Sequence, residues 1–324
     1  MTGWLDARQV PLYLGAMAAG VAVGALLPGG APILEAATTP VLSLLLFATF
    51  LAVPLVEIAR SLRDIRFLGV VVGVNFLVVP VVAFALSRFV TDDRGLLVGV
   101  LLVLLTPCVD YVILFTGLAG GDRARLLAAT PLLMVLQLLL LPVYLLLFAG
   151  PEVVRHIDPA PFVEAFLVLI VLPLAAAALV QVLARRHRAG RAVEVSMAAA
   201  MVPLMMLTLC VVIASQVAAL GQEAVTALRL VPLHVVFLVV MIVVGVTVSR
   251  VVRLDAARAR AATFGVVTRN SLVVLPLALS LPPAFALAPL AVVTQTLVEL
   301  IGMVVMVRLV PKLIPERGRV IAQR

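Results

Sequence analysis

The chain has 324 residues, of which 64% are hydrophobic and only 12% are charged, and its mean hydropathy is +1.27. A soluble domain averages about 45–50% apolar and about 25% charged residues, so this composition indicates a polytopic membrane protein with no soluble domain. The net charge of +8 does not indicate nucleic-acid binding, because the basic residues follow the membrane topology described next. The two cysteines, Cys108 and Cys210, both lie in apolar runs and form no disulfide framework or zinc motif.

The hydropathy pattern predicts ten membrane-spanning helices. Each needs about 20 apolar residues, and the predicted spans lie at 11–27, 39–58, 67–89, 95–119, 125–149, 161–184, 194–219, 229–250, 260–281 and 284–309. Most of the 24 Lys and Arg residues lie at the termini or after even-numbered spans, and the opposite side has only Arg88, Arg94, Arg155 and Arg229. The positive-inside rule then places the protein in the cytoplasmic membrane with both termini in the cytoplasm.

The fourth span is interrupted by polar residues. It lies within 101–122, which reads LLVLLTPCVDYVILFTGLAGGD and contains Thr106, Pro107, Cys108 and Asp110. Pro107 cannot donate a backbone hydrogen bond, so the helix is predicted to bend or break there. A free cysteine is usually a small buried hydrophobe, but the polar neighbours of Cys108 also suit a thiolate that contacts a soft, thiophilic ligand.

The ninth span is interrupted in the same way. The stretch 263–281 reads TFGVVTRNSLVVLPLALSL and contains Arg269, Asn270 and Ser271. Because Asp110 and Arg269 are each costly at membrane depth, we predict that they face each other where the two interrupted helices cross. Two interpretations remain open: an ion pair that only fixes the crossing, or a proton-carrying carboxylate that Arg269 releases during a transport cycle.

An internal repeat is visible when the chain is aligned with itself at a spacing of 162 residues. Thr106 then matches Thr268, and Cys108 matches Asn270. Five spans in each half would insert the second half upside down, which is the plan of many alternating-access transporters. The sequence thus predicts an all-α membrane protein of two inverted five-helix repeats, 1–158 and 159–324, with the discontinuous fourth and ninth helices crossing near the midplane.

Further polar residues lie in other spans. Glu299 is an acid in the tenth span, and Gln295 lies one turn before it on the same face. Glu299 is either a functional acid or a carboxylate that reaches the membrane surface. Asn75 and His234 are predicted to form interhelical hydrogen bonds. The sequence contains no phosphate-binding loop, metalloprotease motif or Ser/His/Asp arrangement, so neither an enzyme nor a cofactor is expected.

These features resemble the bile-acid/sodium symporter superfamily, and within it the arsenite-efflux permeases. The resemblance rests on the ten-span plan, the Thr-Pro-Cys run at 106–108, the LAGGD run at 118–122, the polar break in the ninth span and Glu299. It implies that Cys108, after Pro107, handles trivalent arsenic, and that Glu299 and Asn270 match polar residues of those permeases. It also implies a core domain (spans 3–5 and 8–10) that moves against a panel domain (spans 1, 2, 6 and 7).

Two residues depart from that pattern, because an acid at Asp110 and a cation at Arg269 are not expected in it. A guanidinium at the break would repel Na⁺, whereas Asp110 can be neutralised by a proton. The leading hypothesis is therefore efflux of arsenite or antimonite by proton antiport, with sodium disfavoured. Thr106, Cys108, Asn270 and Ser271 would bind substrate, while Asp110, Arg269 and Glu299 would serve coupling. The alternatives are a carrier whose organic or inorganic anion is held by Arg269, and a membrane sensor or subunit without transport. The expected partners are the solute, protons and the lipid bilayer.

Overall fold

The computed structural model describes residues 9–26, 30–53, 60, 61, 63–108, 111–154, 160–220, 224–279 and 281–316. Within those ranges the regular structure is helical. The first half contains α1 (Gln9–Leu26), α2 (Ala31–Leu51), α3 (Ile65–Gly73), α4 (Val79–Ser87), α5 (Arg94–Leu104), α6 (Val112–Leu118), α7 (Arg123–Ala149) and α8 (Pro151–Val154). The second half contains α9 (Ala160–Ala165), α10 (Leu172–Ala184), α11 (Arg188–Leu220), α12 (Ala224–Val251), α13 (Ala256–Val267), α14 (Ser271–Leu279) and α15 (Ala288–Leu313).

In the described part of the chain, seven apolar helices are long enough to cross a membrane, and two shorter apolar helices accompany them. The long ones are Pro32–Leu51, Ile65–Val90, Arg123–Ala149, Leu167–Ala184, Arg188–Ala218, Val225–Val251 and Pro283–Leu313, and the shorter ones are Pro11–Leu26 and Arg94–Leu104. These helices establish a multi-pass membrane protein. The second helix begins at Ala31 and not near residue 39 as predicted, because Pro32 fits a first helical turn, where no backbone donor is needed.

Aspartate side chains begin several of the helices. Asp64, Asp93, Asp122 and Asp255 precede α3, α5, α7 and α13, and the carboxylate of each accepts a hydrogen bond from the backbone N–H three residues later. An N-cap aspartate satisfies a donor that the helix leaves free and suits the positive end of the helix dipole. The sequence therefore fixes where these helices start.

The two predicted interruptions are present. The helix α5 ends at Leu104 and α6 begins at Val112, whereas α13 ends at Val267 and α14 begins at Ser271. Each predicted span thus contains two half-helices, and the described backbone between them, at 105–108 and 268–270, is not helical. Such backbone is tolerated in a membrane protein only where other protein groups or water satisfy it.

The helices pack in two groups. In the panel group, α11 packs along α1 and α2, and α10 packs on both α2 and α11. Gly20 and Gly24 of α1 lie against the backbone of Cys210 and Ala214 in α11, so that any side chain there would collide with it. In the crossing group, α15 packs against α5, α12 and α14, while α13 packs against α3, α7 and α12. Both interrupted helices belong to the crossing group.

Candidate functional site

The two interrupted helices meet through their backbones. Pro107 and Arg269 form an isolated antiparallel bridge. On one side of it the N–H of Cys108 donates to the carbonyl of Thr268 at 3.1 Å, and on the other the N–H of Asn270 donates to the carbonyl of Thr106 at 2.8 Å. The two bonds are related by the spacing of 162 residues found in the sequence. Each break thus supplies the hydrogen-bond partners that the other break has lost.

Two threonines close the half-helices that enter the crossing. The hydroxyl of Thr106 lies 3.0 Å from the carbonyl of Leu102, and the hydroxyl of Thr268 lies 2.9 Å from that of Phe264. Both threonines are fully buried. In this conformation the hydroxyl of Thr106 faces its own helix and caps the end of α5, while its role in substrate binding stays a prediction.

Arg269 is fully buried and is surrounded by oxygen atoms. Its Nη2 donates to the Oδ1 of Asn75 at 2.7 Å and to the carbonyl of Val266 at 2.6 Å, while its Nη1 donates to the carbonyl of Leu104 at 3.2 Å. The guanidinium also lies 5.4 Å from the centre of the Phe237 ring, a distance at which the ring face attracts a cation. Among the described residues, no carboxylate forms a side-chain ion pair with this guanidinium.

Asn75 holds its oxygen towards that guanidinium. It lies in a π-helical turn (Val74–Val78) between α3 and α4, and its Nδ2 donates to the carbonyls of Val71 at 2.9 Å and Gly265 at 3.0 Å. The amide therefore links the third predicted span to the ninth, which confirms the predicted interhelical hydrogen bonding. Its further role as a partner of Arg269 was not predictable, because the sequence around a single polar residue does not indicate which residue its side chain contacts.

Glu299 joins both breaks to the last helix. Its Oε1 accepts from the hydroxyl of Tyr111 at 2.7 Å, and its Oε2 accepts from the backbone N–H of Arg269 at 2.7 Å and from the Nε2 of Gln295 at 2.6 Å. The side chain is buried, so the alternative of a carboxylate reaching the membrane surface is excluded. Tyr111, at the start of α6, is a second site residue whose role the sequence did not reveal.

Three of the predicted substrate-binding residues, Cys108, Asn270 and Ser271, lie at the crossing. Cys108 is buried, with 1% of its surface exposed. Among the described residues, the Oδ1 of Asn270 and the Oγ of Ser271 are buried without a hydrogen-bond partner. The Nδ2 of Asn270 contacts the sulfur of Met134 at 3.7 Å. Asp110 lies outside the described residues, so its pairing with Arg269 stays a prediction.

The described residues at the centre of the crossing, such as Cys108 and Arg269, are buried from solvent in this conformation. A cavity of about 10 Å³, roughly the room that one water molecule needs, lies beside the crossing and is lined by His234, Phe237, Gln295 and Glu299 among others. A much larger cavity of about 1150 Å³ lies at the ends of α12 and α15. Its described lining includes Arg250, Arg253 and Arg258, and Cys108 is not among the described lining residues of either cavity.

A second polar cluster, the edge network, lies at the start of three helices of the crossing group. Asp64 accepts from the Nε of Arg125 at 2.7 Å and from the Nη1 of Arg258 at 3.0 Å. Arg125 also pairs with Asp122, and Arg258 with Asp255. Burial by itself would raise the pKa of the Asp64 carboxyl, but hydrogen bonds from the Phe67 N–H and from both guanidinium groups outweigh it and lower that pKa. The network ties α3 and α7 to α13.

Long apolar helices, together with two helices that are interrupted around a buried polar centre, are the construction of a membrane carrier for small solutes. The chain belongs to the sodium bile acid symporter family, whose profile matches residues 39–228. Members of this family are transporters and not enzymes, and they comprise sodium- and bile-acid-type symporters and related anion transporters. The matched region contains Cys108 but ends before Arg269 and Glu299. No curated protein matches the chain at a significant level.

Proposed function

We propose that this protein is a secondary active transporter of the cytoplasmic membrane that exports arsenite, and the related antimonite, in exchange for protons. The observation that carries the proposal is the position of Cys108. Its backbone N–H is held by the Thr268 carbonyl at the centre of the crossing, so its thiol is fixed where two half-helices from opposite halves of the chain meet. A thiolate is a soft ligand and suits a thiophilic centre such as trivalent arsenic.

The oxygen atoms around the crossing suit the same substrate. Arsenite in neutral water is an uncharged trihydroxide, so it needs a soft contact for arsenic and hydrogen-bond partners for its hydroxyl groups. The unpartnered Oδ1 of Asn270 and Oγ of Ser271 are buried at the second break. Buried polar atoms without partners are unfavourable and are commonly satisfied by water or a ligand. Asn270 and Ser271 are therefore proposed as the polar contacts and Cys108 as the soft contact.

Glu299 provides a site at which a proton can act on the crossing. As a carboxylate it accepts from Tyr111, from the backbone of Arg269 and from Gln295, and so holds both breaks to α15. A protonated carboxyl has one donor and less accepting capacity, so its bond to the Tyr111 hydroxyl would have to reverse and its bonds from the other two donors would weaken. Proton binding would thus loosen the crossing, which is the link between proton movement and solute release that antiport requires. Asp110 is proposed as a second protonatable group.

Movement between the panel group and the crossing group would open the site alternately to each side of the membrane. The two inverted halves proposed from the sequence would relate the inward- and outward-open states by a pseudo-two-fold axis in the membrane plane. The paired backbone bonds between Cys108 and Thr268 and between Asn270 and Thr106 support this symmetry locally. The crossing residues would then move as one body, with the solute exposed first to the cytoplasm and then to the outside.

The second candidate is a carrier of an organic or inorganic anion. It is favoured by the family, which includes anion transporters. The contacts of Arg269 argue against its holding the anion. Both terminal nitrogens of the guanidinium already donate to protein oxygens. Among the described contacts, only its Nε has no hydrogen-bond partner. An anion would have to displace those bonds.

The deciding experiment is arsenite uptake into everted membrane vesicles from a host without its own exporters, driven in turn by a pH gradient and a sodium gradient. We expect uptake with the pH gradient alone, and its loss in Cys108→Ser. Cys210→Ser is the matched control, because Cys210 lies in α11 of the panel group, away from the crossing, and its replacement should leave uptake intact. Absence of arsenite uptake under both gradients, with the protein present in the vesicles, would refute the proposal in favour of the anion carrier.

A further inference from the structure

We propose that the guanidinium of Arg269 is a tethered cation that fills the place where a free coupling cation would bind, so that the crossing of this transporter takes no sodium. The inference deepens the proposed function, because it concerns the ion that the carrier uses, but it can be tested without measuring transport. It rests on the identity of the oxygen atoms around Arg269 and on the reason why they are available.

The carbonyls of Leu104 and Val266 are freed by the crossing itself. In a continuous α-helix each carbonyl accepts from the N–H four residues later, which would be Cys108 for Leu104 and Asn270 for Val266. Both N–H groups have instead crossed to the opposite break, where they donate to Thr268 and Thr106. Both freed carbonyls accept from the guanidinium of Arg269. The equivalent atom from each half of the chain thus contacts the same cation.

These carbonyls form a site with a negative potential. Each belongs to the last turn of a half-helix, where the helix dipole is negative. The third oxygen, Oδ1 of Asn75, is held in place by the two hydrogen bonds that the same amide donates. Carbonyl and amide oxygens from unwound helix ends are the groups that bind Na⁺ in carriers with broken helices. The set is therefore suited to a cation, and the chain supplies that cation covalently.

A sodium ion cannot share the site with the guanidinium. The three oxygens lie between 2.6 and 3.2 Å from the Nη atoms of Arg269, so a metal ion among them would lie against a fixed positive charge. Such a contact between like charges, buried away from water, is strongly unfavourable. Although the family is described by sodium symport, the residues of this chain do not fit sodium at the crossing. Glu299 would then respond to protons without competition from a metal at that site.

The test is thermal unfolding of the purified protein in sodium chloride and in choline chloride at equal ionic strength. Wild type should melt at the same temperature in both salts. Arg269→Ala removes the tethered cation and leaves the three oxygens around its place without a partner, so it should melt several degrees higher in sodium chloride than in choline chloride. Arg260→Ala is the matched control, because Arg260, in α13, is another buried arginine that donates to backbone carbonyls, those of Ala119 and Ile314, away from the crossing. It should show no preference for sodium.

If Arg269→Ala does not fold in either salt, Arg269→Gln, which keeps most of the volume without the charge, is measured in its place. A sodium-dependent rise in the melting temperature of wild type would overturn the inference, and so would variants that fold yet melt identically in both salts. Neither result depends on arsenite uptake, so failure of this inference is distinguishable from failure of the proposed function.

Discussion

The hydrogen-bond partners of arginine differ between two regions of this protein, the crossing and the edge network. At the crossing, Arg269 is fully buried and donates to two backbone carbonyls and one amide. In the edge network, Arg125 and Arg258 keep roughly a third of their side-chain surface exposed and pair with aspartates. Both regions connect the first half of the chain to the second, so both hold the crossing group together.

The difference follows from the cost of burying charge. Forming a buried ion pair costs the desolvation free energy of two ions, whereas placing one ion among neutral dipoles costs that of only one ion. At the edge, water lowers that cost, and aspartates that already cap helices are available as partners. The arginine at the crossing is therefore stabilised by fixed geometry, whereas the edge network is stabilised by charge and is sensitive to salt and pH.

The largest effect is expected at Glu299. Glu299→Gln keeps the volume but removes the carboxylate that accepts from the Tyr111 hydroxyl, the Arg269 backbone N–H and the Gln295 amide. A hydrogen bond to a charged group contributes about 1.5–3 kcal/mol, and this carboxylate accepts three, so we expect a large fall in the melting temperature and loss of uptake driven by a pH gradient. Glu152→Gln, at a pair with both side chains largely exposed, is the control. Unchanged uptake in Glu299→Gln would contradict the proposed proton site.

A smaller effect is expected at Asn75. Asn75→Leu leaves a buried guanidinium without one of its three acceptors, and an unsatisfied buried group costs about 1–3 kcal/mol, or more when charged. The melting temperature should fall equally at low and high salt, because a buried contact is poorly screened. Gln137→Leu provides the comparison, since the buried amide oxygen of Gln137 has no partner in the described part of the chain. Equal losses in the two variants would show that Asn75 has no special link to Arg269.

The edge network should respond less and should depend on conditions. We expect Asp64→Asn to cost about 1 kcal/mol at low ionic strength, and the cost should shrink as salt is added. Because the pKa of Asp64 is lowered in the folded protein, its stabilising effect is complete above its ordinary pKa of about 3.9 and is lost as the pH falls through the lowered value. Melting temperatures of wild type and variant should thus converge in acid. A difference in melting temperature that persists at high salt would show that the edge network, like the crossing, depends on contacts that salt does not screen.

The smallest effect is expected at the exposed pair of Asp92 and Arg229, whose side chains are 55% and 51% exposed. Solvent-exposed ion pairs contribute little because water and salt screen them. Asp92→Asn should therefore melt with wild type within the error of the measurement at any salt concentration. A clear fall in melting temperature would show that the Asp92–Arg229 ion pair stabilises the fold more than its exposure predicts.

Much of the site could be predicted from the sequence, because the signals were local. Pro107 marks a break by lacking a donor, and the polar run at 268–271 marks the other. The two breaks were matched by the spacing of 162 residues, and the structure brings those positions into contact. By contrast, the direction of the Arg269 side chain was not predictable. Its partners lie 165 and 194 residues away in the chain at Leu104 and Asn75, and no sequence pattern relates them.

The sequence by itself determined that the chain is a membrane protein, where its helices break and which residues are too polar to be neutral in lipid. Composition and proline chemistry act locally, and so they can be read along the chain. Only the tertiary structure decided what those polar residues do. In the fold the Thr106 hydroxyl bonds to its own helix, and Glu299 accepts hydrogen bonds from residues at both breaks. Arg269 donates to two carbonyls that are left free because the two helices exchange backbone hydrogen bonds. Such partners depend on which atoms are left unsatisfied when helices meet, and that is a property of the packed fold.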